Sequence, residues 1–124
     1  MMQAARSVGG FASISDLTRR LGLTPRAIRY YEERGLIQAV RDRQNARRFD
    51  QRAQRRLSQI TQLRSAGLSL PDIEDILNSA ETADARDVTC LALQRLTRRL
   101  EDLDTERRAV QATIDAVKSG AVTA

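Results

Sequence analysis

The 124-residue sequence contains no histidine and no tryptophan, one cysteine (Cys90), two prolines and four aromatic residues: Phe11, Tyr30, Tyr31 and Phe49. Without histidine, neither a Ser–His or Cys–His nucleophile pair nor an imidazole-bearing metal site can form. A single cysteine excludes an internal disulfide and fits a reducing, cytoplasmic setting. With aromatics at only 3%, a core must be packed from Leu, Ile and Val. No apolar run approaches the ~20 residues needed to cross a bilayer. The N-terminal stretch lacks an apolar segment long enough for a secretory signal, so no membrane partner is expected. The acids fall mostly on solvated helical faces. Together these absences argue against an enzyme and imply neither cofactor nor metal.

What is abundant is arginine, at 20 residues against one lysine. A high-GC genome would favour Arg over Lys, but it does not explain how the charge is distributed. Residues 1–64 hold fourteen Arg against five acids, a net +9, whereas residues 65–124 hold six Arg and one Lys against eleven acids, a net −4. A basic front half joined to a mildly acidic rear half points to a polyanion-binding module and a separate tail.

Residues 1–12 read as a flexible leader. Ser13-Ile14-Ser15-Asp16 is a capping-box pattern that opens a first helix, with Leu17 and Leu21 on one face and Gly22 as its stop. Thr24-Pro25 starts a second helix, Thr as cap and Pro preorganised at the first helical position. It runs to about Arg34 and ends at Gly35, so the pair forms a helix-turn-helix. Leu36 and Ile37 return the chain to the core. Residues 38–48 are polar and basic and predict a short hairpin, or wing, turning at Gln44-Asn45. Asp50 caps a third helix with Leu57, Ile60 and Leu63 inward, ending at Gly67. Ser69-Leu70-Pro71-Asp72 is a second capping box, opening a short helix that buries Ile73, Ile76 and Leu77.

Residues 79–87 are small and charged and read as a linker. Beyond them Leu93, Leu96, Leu100, Leu103, Arg107, Val110, Ile114 and Val117 alternate in steps of three and four, a coiled-coil seam interrupted only at Arg107. A helix over 88–119 would be roughly 48 Å long. So narrow a stripe needs a partner, and a second copy is the simplest; a fold back onto the front domain is the alternative. Arg107 in the seam implies a wet crossing point or an acidic neighbour such as Glu106 or Asp104 from the other chain. Residues 120–124 form a short tail.

On the second helix, Arg26, Arg29 and Arg34 share one broad side and Ile28 turns inward. Tyr30 and Tyr31 lie about 100° apart. One ring can enter the core while the other stands at the edge of the arginine face; Tyr31 is expected to make the phosphate contact. The alternative is that both rings pack.

The segments "ISDLTRRLGLTPRAIRYYEERGLI" and "RRLSQITQLRSAGLSLPDIEDIL", with a basic wing between them, resemble the mercury-resistance regulator (MerR) family of bacterial transcription factors over residues 13–78. The resemblance implies a mainly α fold: a winged helix-turn-helix DNA-binding domain followed by a long dimerisation helix in an antiparallel coiled coil. It implies a homodimer on double-stranded DNA, with recognition helices in successive major grooves of a pseudo-palindromic promoter. Bending and undertwisting of the promoter spacer would let RNA polymerase engage both elements. By position, Thr24, Arg26 and Arg29 belong to the recognition helix, Tyr31 is a backbone contact, and Arg41, Arg43, Arg47 and Arg48 serve the wing. Phe49 takes the place usually held by a tyrosine, which removes a hydroxyl, and Ala46 stands where an aromatic is common.

Sensors of this family carry further cysteines or a further domain. Cys90 lies near the start of the long helix but cannot complete a metal site alone, and it is expected to be an ordinary buried residue, with a redox or metal role as the alternative. These features imply a regulator without a small-molecule or metal sensor, controlled by abundance or by a protein partner on the acidic C-terminal half. An architectural, excisionase-like DNA-bending factor and a coiled-coil interaction adaptor are the alternative functions.

Overall fold

The computed structural model describes residues 10–121. Its elements, in chain order, are β1 (Ala12–Ser13), α1 (Ile14–Leu21), α2 (Pro25–Glu33), β2 (Val40–Arg41), β3 (Arg47–Phe49), α3 (Gln51–Ser65), α4 (Leu70–Thr82) and α5 (Ala85–Lys118). The fold is a mainly α winged helix-turn-helix followed by one long helix.

Helix boundaries follow from side-chain caps that satisfy the free N–H groups of the first turn. Ser13 and Asp16 form a complete capping box on α1, Thr24 caps α2 with Pro25 behind it, and Asp50 caps α3. Gly22 ends α1 in the left-handed region at φ 70°, where a side chain would be strained. Only half of the second expected capping box forms. Ser69 accepts from the Asp72 amide at 3.3 Å, but the Asp72 carboxylate is engaged by Arg95 instead.

The three short strands form one antiparallel sheet in the order β1-β3-β2, with Ala12 opposite Phe49 and Val40 opposite Arg48. This corrects the expected leader. Residues 1–9 lie outside the described residues, but Ala12 is only 2% exposed and supplies an edge strand that clamps the base of the wing. The signal is legible afterwards: Phe11-Ala12 is an apolar pair just before a cap. The expected linker over 79–87 narrows to Ala83-Asp84, because α4 continues to Thr82 and Asp84 caps α5 directly.

The core draws on every element of the head. Leu17, Ile28, Phe49, Leu57, Ile60 and Ile73 are fully buried. Leu36, Ile37, Leu68, Ile76 and Leu77 surround them, as the apolar spacing predicts. Tyr31 and Phe49 are the two aromatic members. Helix α5 divides along its length. Val88, Leu91, Ala92 and Leu96, one helical face, pack on the head's core, whereas Leu93, Leu100, Leu103, Val110, Ile114 and Val117 are exposed. Leu96, expected only in the seam, therefore serves the head as well.

Phe49 joins the wing to α3 within this core. Phe49→Ala should lower stability by about 3–5 kcal/mol, a large share of the roughly 5–15 kcal/mol available to a domain. Urea unfolding followed by circular dichroism, with midpoint and slope both fitted, checks this.

Candidate nucleic-acid interface

Helix α2 is preset by its own sequence. The Thr24 hydroxyl accepts from the Ala27 amide at 3.0 Å, and Ile28 anchors the inner face. Outward, Thr24, Arg26 and Arg29 are exposed. Neither arginine has an acidic partner among the described residues, so two guanidinium groups one turn apart project from an exposed helix with no internal carboxylate to neutralise them. Such a helix presents five-donor forks to phosphate oxygens and to guanine edges.

The third expected member of that side, Arg34, is withdrawn. Its Nε donates to Glu74 of α4 at 2.8 Å and its guanidinium lies 6.0 Å from the centre of the Tyr30 ring. These contacts raise the Arg34 pKa, the Glu74 hydrogen bond contributing most. The tyrosines also exchange the expected roles. Tyr31 is 9% exposed and joins the core, while Tyr30 is 45% exposed at the α2 surface. The 100° offset was legible; which ring faces inward depends on the phase of the helix, which Leu17 and Ile28 set.

The wing is organised by Asp42. One oxygen, Oδ1, accepts from the Gln44 and Ala46 amides, each at 2.9 Å, and the other, Oδ2, accepts from Arg48 Nε at 2.8 Å. Asn45 takes the left-handed conformation at φ 64° that closes the turn. Arg41 donates to the Asn45 carbonyl at 2.8 Å. Arg47 lies 3.1 Å from Glu32 of α2, which ties the wing's return strand to that helix. Thus Arg41, Arg47 and Arg48 help build the wing, and Arg43, exposed at its tip, is the wing arginine with no hydrogen-bond or ion-pair partner among the described residues.

Phe49, expected among the contact residues, is completely buried. Its ring cannot reach a ligand; the position is one of packing. Asp42 and Glu32 were missed as site-building residues. The signal for Asp42 was an Asp two residues before a turn position, where its side chain bonds nearby amides. Glu32 had no comparable local signal.

At the other end, Cys90 is exposed, contrary to the expectation of burial. The face of α5 that meets the head carries Val88, Leu91, Ala92 and Leu96, and Cys90 lies on the opposite side. Arg107 is also exposed, and it pairs with Asp104 of its own helix at 3.1 Å. Among the described residues no helix is long and apolar enough to cross a membrane.

Residues 12–80 match the MerR HTH family regulatory protein family, and residues 54–119 match a second family described as MerR, DNA binding. The HTH-type transcriptional regulator CueR of Escherichia coli O157:H7 is 29% identical over 110 residues, covering 84% of this chain and 82% of that protein. The mercuric resistance operon regulatory protein of Bacillus cereus is 31% identical over 96 residues, covering 73% of each. Among solved structures, HiNmlR, a MerR family regulator lacking the sensor domain and bound to promoter DNA, superposes with a TM-score of 0.62 at 20% identity, covering 88% of this chain and 82% of that one. A MerR family transcriptional regulator from Bacillus cereus gives 0.67 at 22% identity, covering 88% and 78%.

The Ala46 amide first, and then Arg48, hold the Asp42 carboxyl below its ordinary value of 3.8. A depressed carboxyl stabilises the fold fully above its unfolded pKa, and that contribution is lost as pH falls through the folded value. The wing should therefore loosen below pH 3.8, seen as faster exchange and shifted resonances of the Gln44 and Ala46 amides. Asp42→Asn should remove this pH dependence while keeping the turn.

Proposed function

Since the chain belongs to the MerR family of helix-turn-helix DNA-binding transcription regulators, we propose that it works as a homodimer, joined through α5, that binds a pseudo-palindromic promoter site and distorts it. The observation that carries this reading is a pairing of two exposed features on one chain. Arg26 and Arg29 on α2 and Arg43 at the wing tip are uncompensated cations, and α5 carries a bare apolar stripe.

The stripe supports the dimer. Leu93, Leu100, Leu103, Val110, Ile114 and Val117 are 41–68% exposed, along about seven turns of one helix. Isolated apolar side chains are ordinary on a surface, but a continuous seam is not stable in water. In an antiparallel pair with maximal overlap, Leu93 faces Val117 of a second copy and Leu100 faces Val110. Leu103 and Arg107 then flank the two-fold axis. Arg107 stays hydrated there or shares Asp104 with its counterpart, which spares it the penalty of an unpaired buried charge.

The exposure of these side chains supports a proposed division of contacts. Thr24, Arg26 and Arg29 enter the major groove; Arg29, further along the exposed face, reads a base edge. Arg43, with Arg41 and Arg48 behind it, lies along the flanking backbone, and Tyr30 rather than the ring of Tyr31 stands nearest to solvent. Promoter DNA bound by the related regulator HiNmlR supports extending the same ligand class to this chain. RNA polymerase would meet the distorted promoter. With no histidine and one thiolate per protomer, the chain offers few of the soft ligands a metal sensor uses, which supports a regulator without a metal or small-molecule sensor of its own. Control through abundance, or through a protein docked on the acidic C-terminal half, fits that composition.

Arg29→Ala should relax discrimination between a selected operator and random duplex by about 1–3 kcal/mol, or roughly 5- to 150-fold, measured by fluorescence anisotropy with a site enriched from random sequence. Unchanged discrimination would count against Arg29 as a base-reading residue. For wild type, about six neutralised phosphates per dimer predict a log affinity–log salt slope near −5. Leu100→Asp with Val110→Asp should give a monomer at micromolar concentration by sedimentation, with weakened operator binding.

A further inference from the structure

Two arginines on α5 hold the long helix to the head. Arg95 Nη1 lies 2.5 Å from Asp72 and 3.1 Å from Asp75, so one guanidinium spans two carboxylates in the first two turns of α4. One turn further on, Arg99 lies against the α3–α4 turn. A Cβ at Gly67 would stand 2.7 Å from Arg99 Nε, and Gly67 has φ 88°, which side chains avoid. Arg99 Nε is shielded from solvent with no hydrogen-bond partner. Beyond Arg99, the side-chain hydrogen bonds and ion pairs of α5 stay within α5 among the described residues.

The apolar contacts of Val88, Leu91, Ala92 and Leu96 attach the helix and select a class of crossing angle, but packing of this kind leaves a scatter of about 15–20° within a class. Charge-assisted hydrogen bonds are directional. The Arg95 side chain is 25% exposed and Asp72 is 35% exposed, so solvent and salt screen this bridge less than an open surface pair. In a two-fold dimer the angle at which α5 leaves the head sets the separation of the two recognition helices. A head of this size is roughly 25 Å across. A tilt of about 10° then moves each recognition helix by about 4 Å, just over the ~3.4 Å rise of one base pair.

We propose that Arg95 is a positioning residue for DNA binding: by spanning Asp72 and Asp75 it sets the angle between head and α5, and so the distance between recognition helices. This rests on the homodimer reading. Arg99 against Gly67 is the second point of the same attachment, so that α5 is held at two levels one turn apart.

The test is a distance measured without DNA. Spin labels at Gln44→Cys in a Cys90→Ser background report the separation of the two wing tips by double electron–electron resonance. The otherwise unmutated labelled protein should give one narrow distance peak. Arg95→Ala should shift or broaden it by about 4 Å or more, on the lever estimate above, with helix content and sedimentation unchanged. Asp72→Asn with Asp75→Asn, which breaks the bridge from the other side, should do the same, and Arg95→Lys should largely restore the narrow peak. A peak unaltered in position and width by both Arg95→Ala and the double Asn variant, in a protein that remains dimeric, overturns the proposal and leaves the dimer standing. Absence of any inter-protomer distance in the labelled parent overturns the dimer reading and this proposal with it. Should Arg95→Ala fail to fold, the double Asn variant decides between the same outcomes.

Discussion

The burial of Phe49 is the constraint on which the proposed DNA-facing surface depends. A two-strand wing is too small to hold its own position. Here its return strand ends in an aromatic ring that is completely enclosed by the head's core, alongside Leu17 of α1, Ile28 of α2 and Leu57 of α3. The sheet partner Ala12 lies opposite that ring, and Glu32 reaches from α2 to Arg47 in the same strand. Wing and α2 are therefore joined through the shared core, the sheet and an ion pair. That joining lets a few arginines act in concert, since contacts made by a preorganised surface lose less entropy on binding.

The arginines divide into two populations that composition alone does not separate. Some are structural: Arg34 binds Glu74, Arg52 and Arg56 both bind Glu81, and Arg95 binds Asp72 and Asp75. All of those carboxylates lie on α4, which thus collects guanidinium groups from the end of α2, from α3 and from α5. Part of the basic-front, acidic-rear asymmetry is the two sides of this internal network. On α2 and at the wing tip, the arginines left with neither a hydrogen-bond nor an ion-pair partner among the described residues are Arg26, Arg29 and Arg43. Partly exposed pairs of this kind contribute little stability one by one; their importance is in deciding which cations remain available for an anionic ligand.

Local signals made much of this fold legible. Ser13, Thr24, Asp50 and Ser69 mark helix starts because a side-chain oxygen three residues ahead of an orphan amide is a short-range device, and each caps where its spacing implies. The inward faces of α3 and α4 follow from period alone. What escaped was long-range. Ala12 gains its role only from Phe49, 37 positions later, and Leu96 only from a core assembled by other helices. The Asp72 capping-box pattern was half overridden by Arg95, 23 positions away. Cys90 was misplaced because lone cysteines are usually buried, whereas its burial is decided by which side of α5 meets α4. At the site, the arginine-bearing face of α2 was legible, but the diversion of Arg34 to Glu74 and the exchange of Tyr30 and Tyr31 were not, since both depend on helix phase relative to neighbours.

Helix α5 brings these constraints together, because it presents two apolar faces that meet at Leu96. One face closes the head's core through Val88, Leu91 and Ala92; the other continues from Leu93 through Val117 without cover in the single chain. A side chain at the border of two faces cannot reorient toward one without disturbing the other, because packed interiors tolerate little change of volume. Whatever covers the exposed face is thereby coupled to how α5 sits on α4. The acidic α4 is ion-paired both to the head, through Arg34 and Arg56, and to the long helix, through Arg95, so it bridges the two.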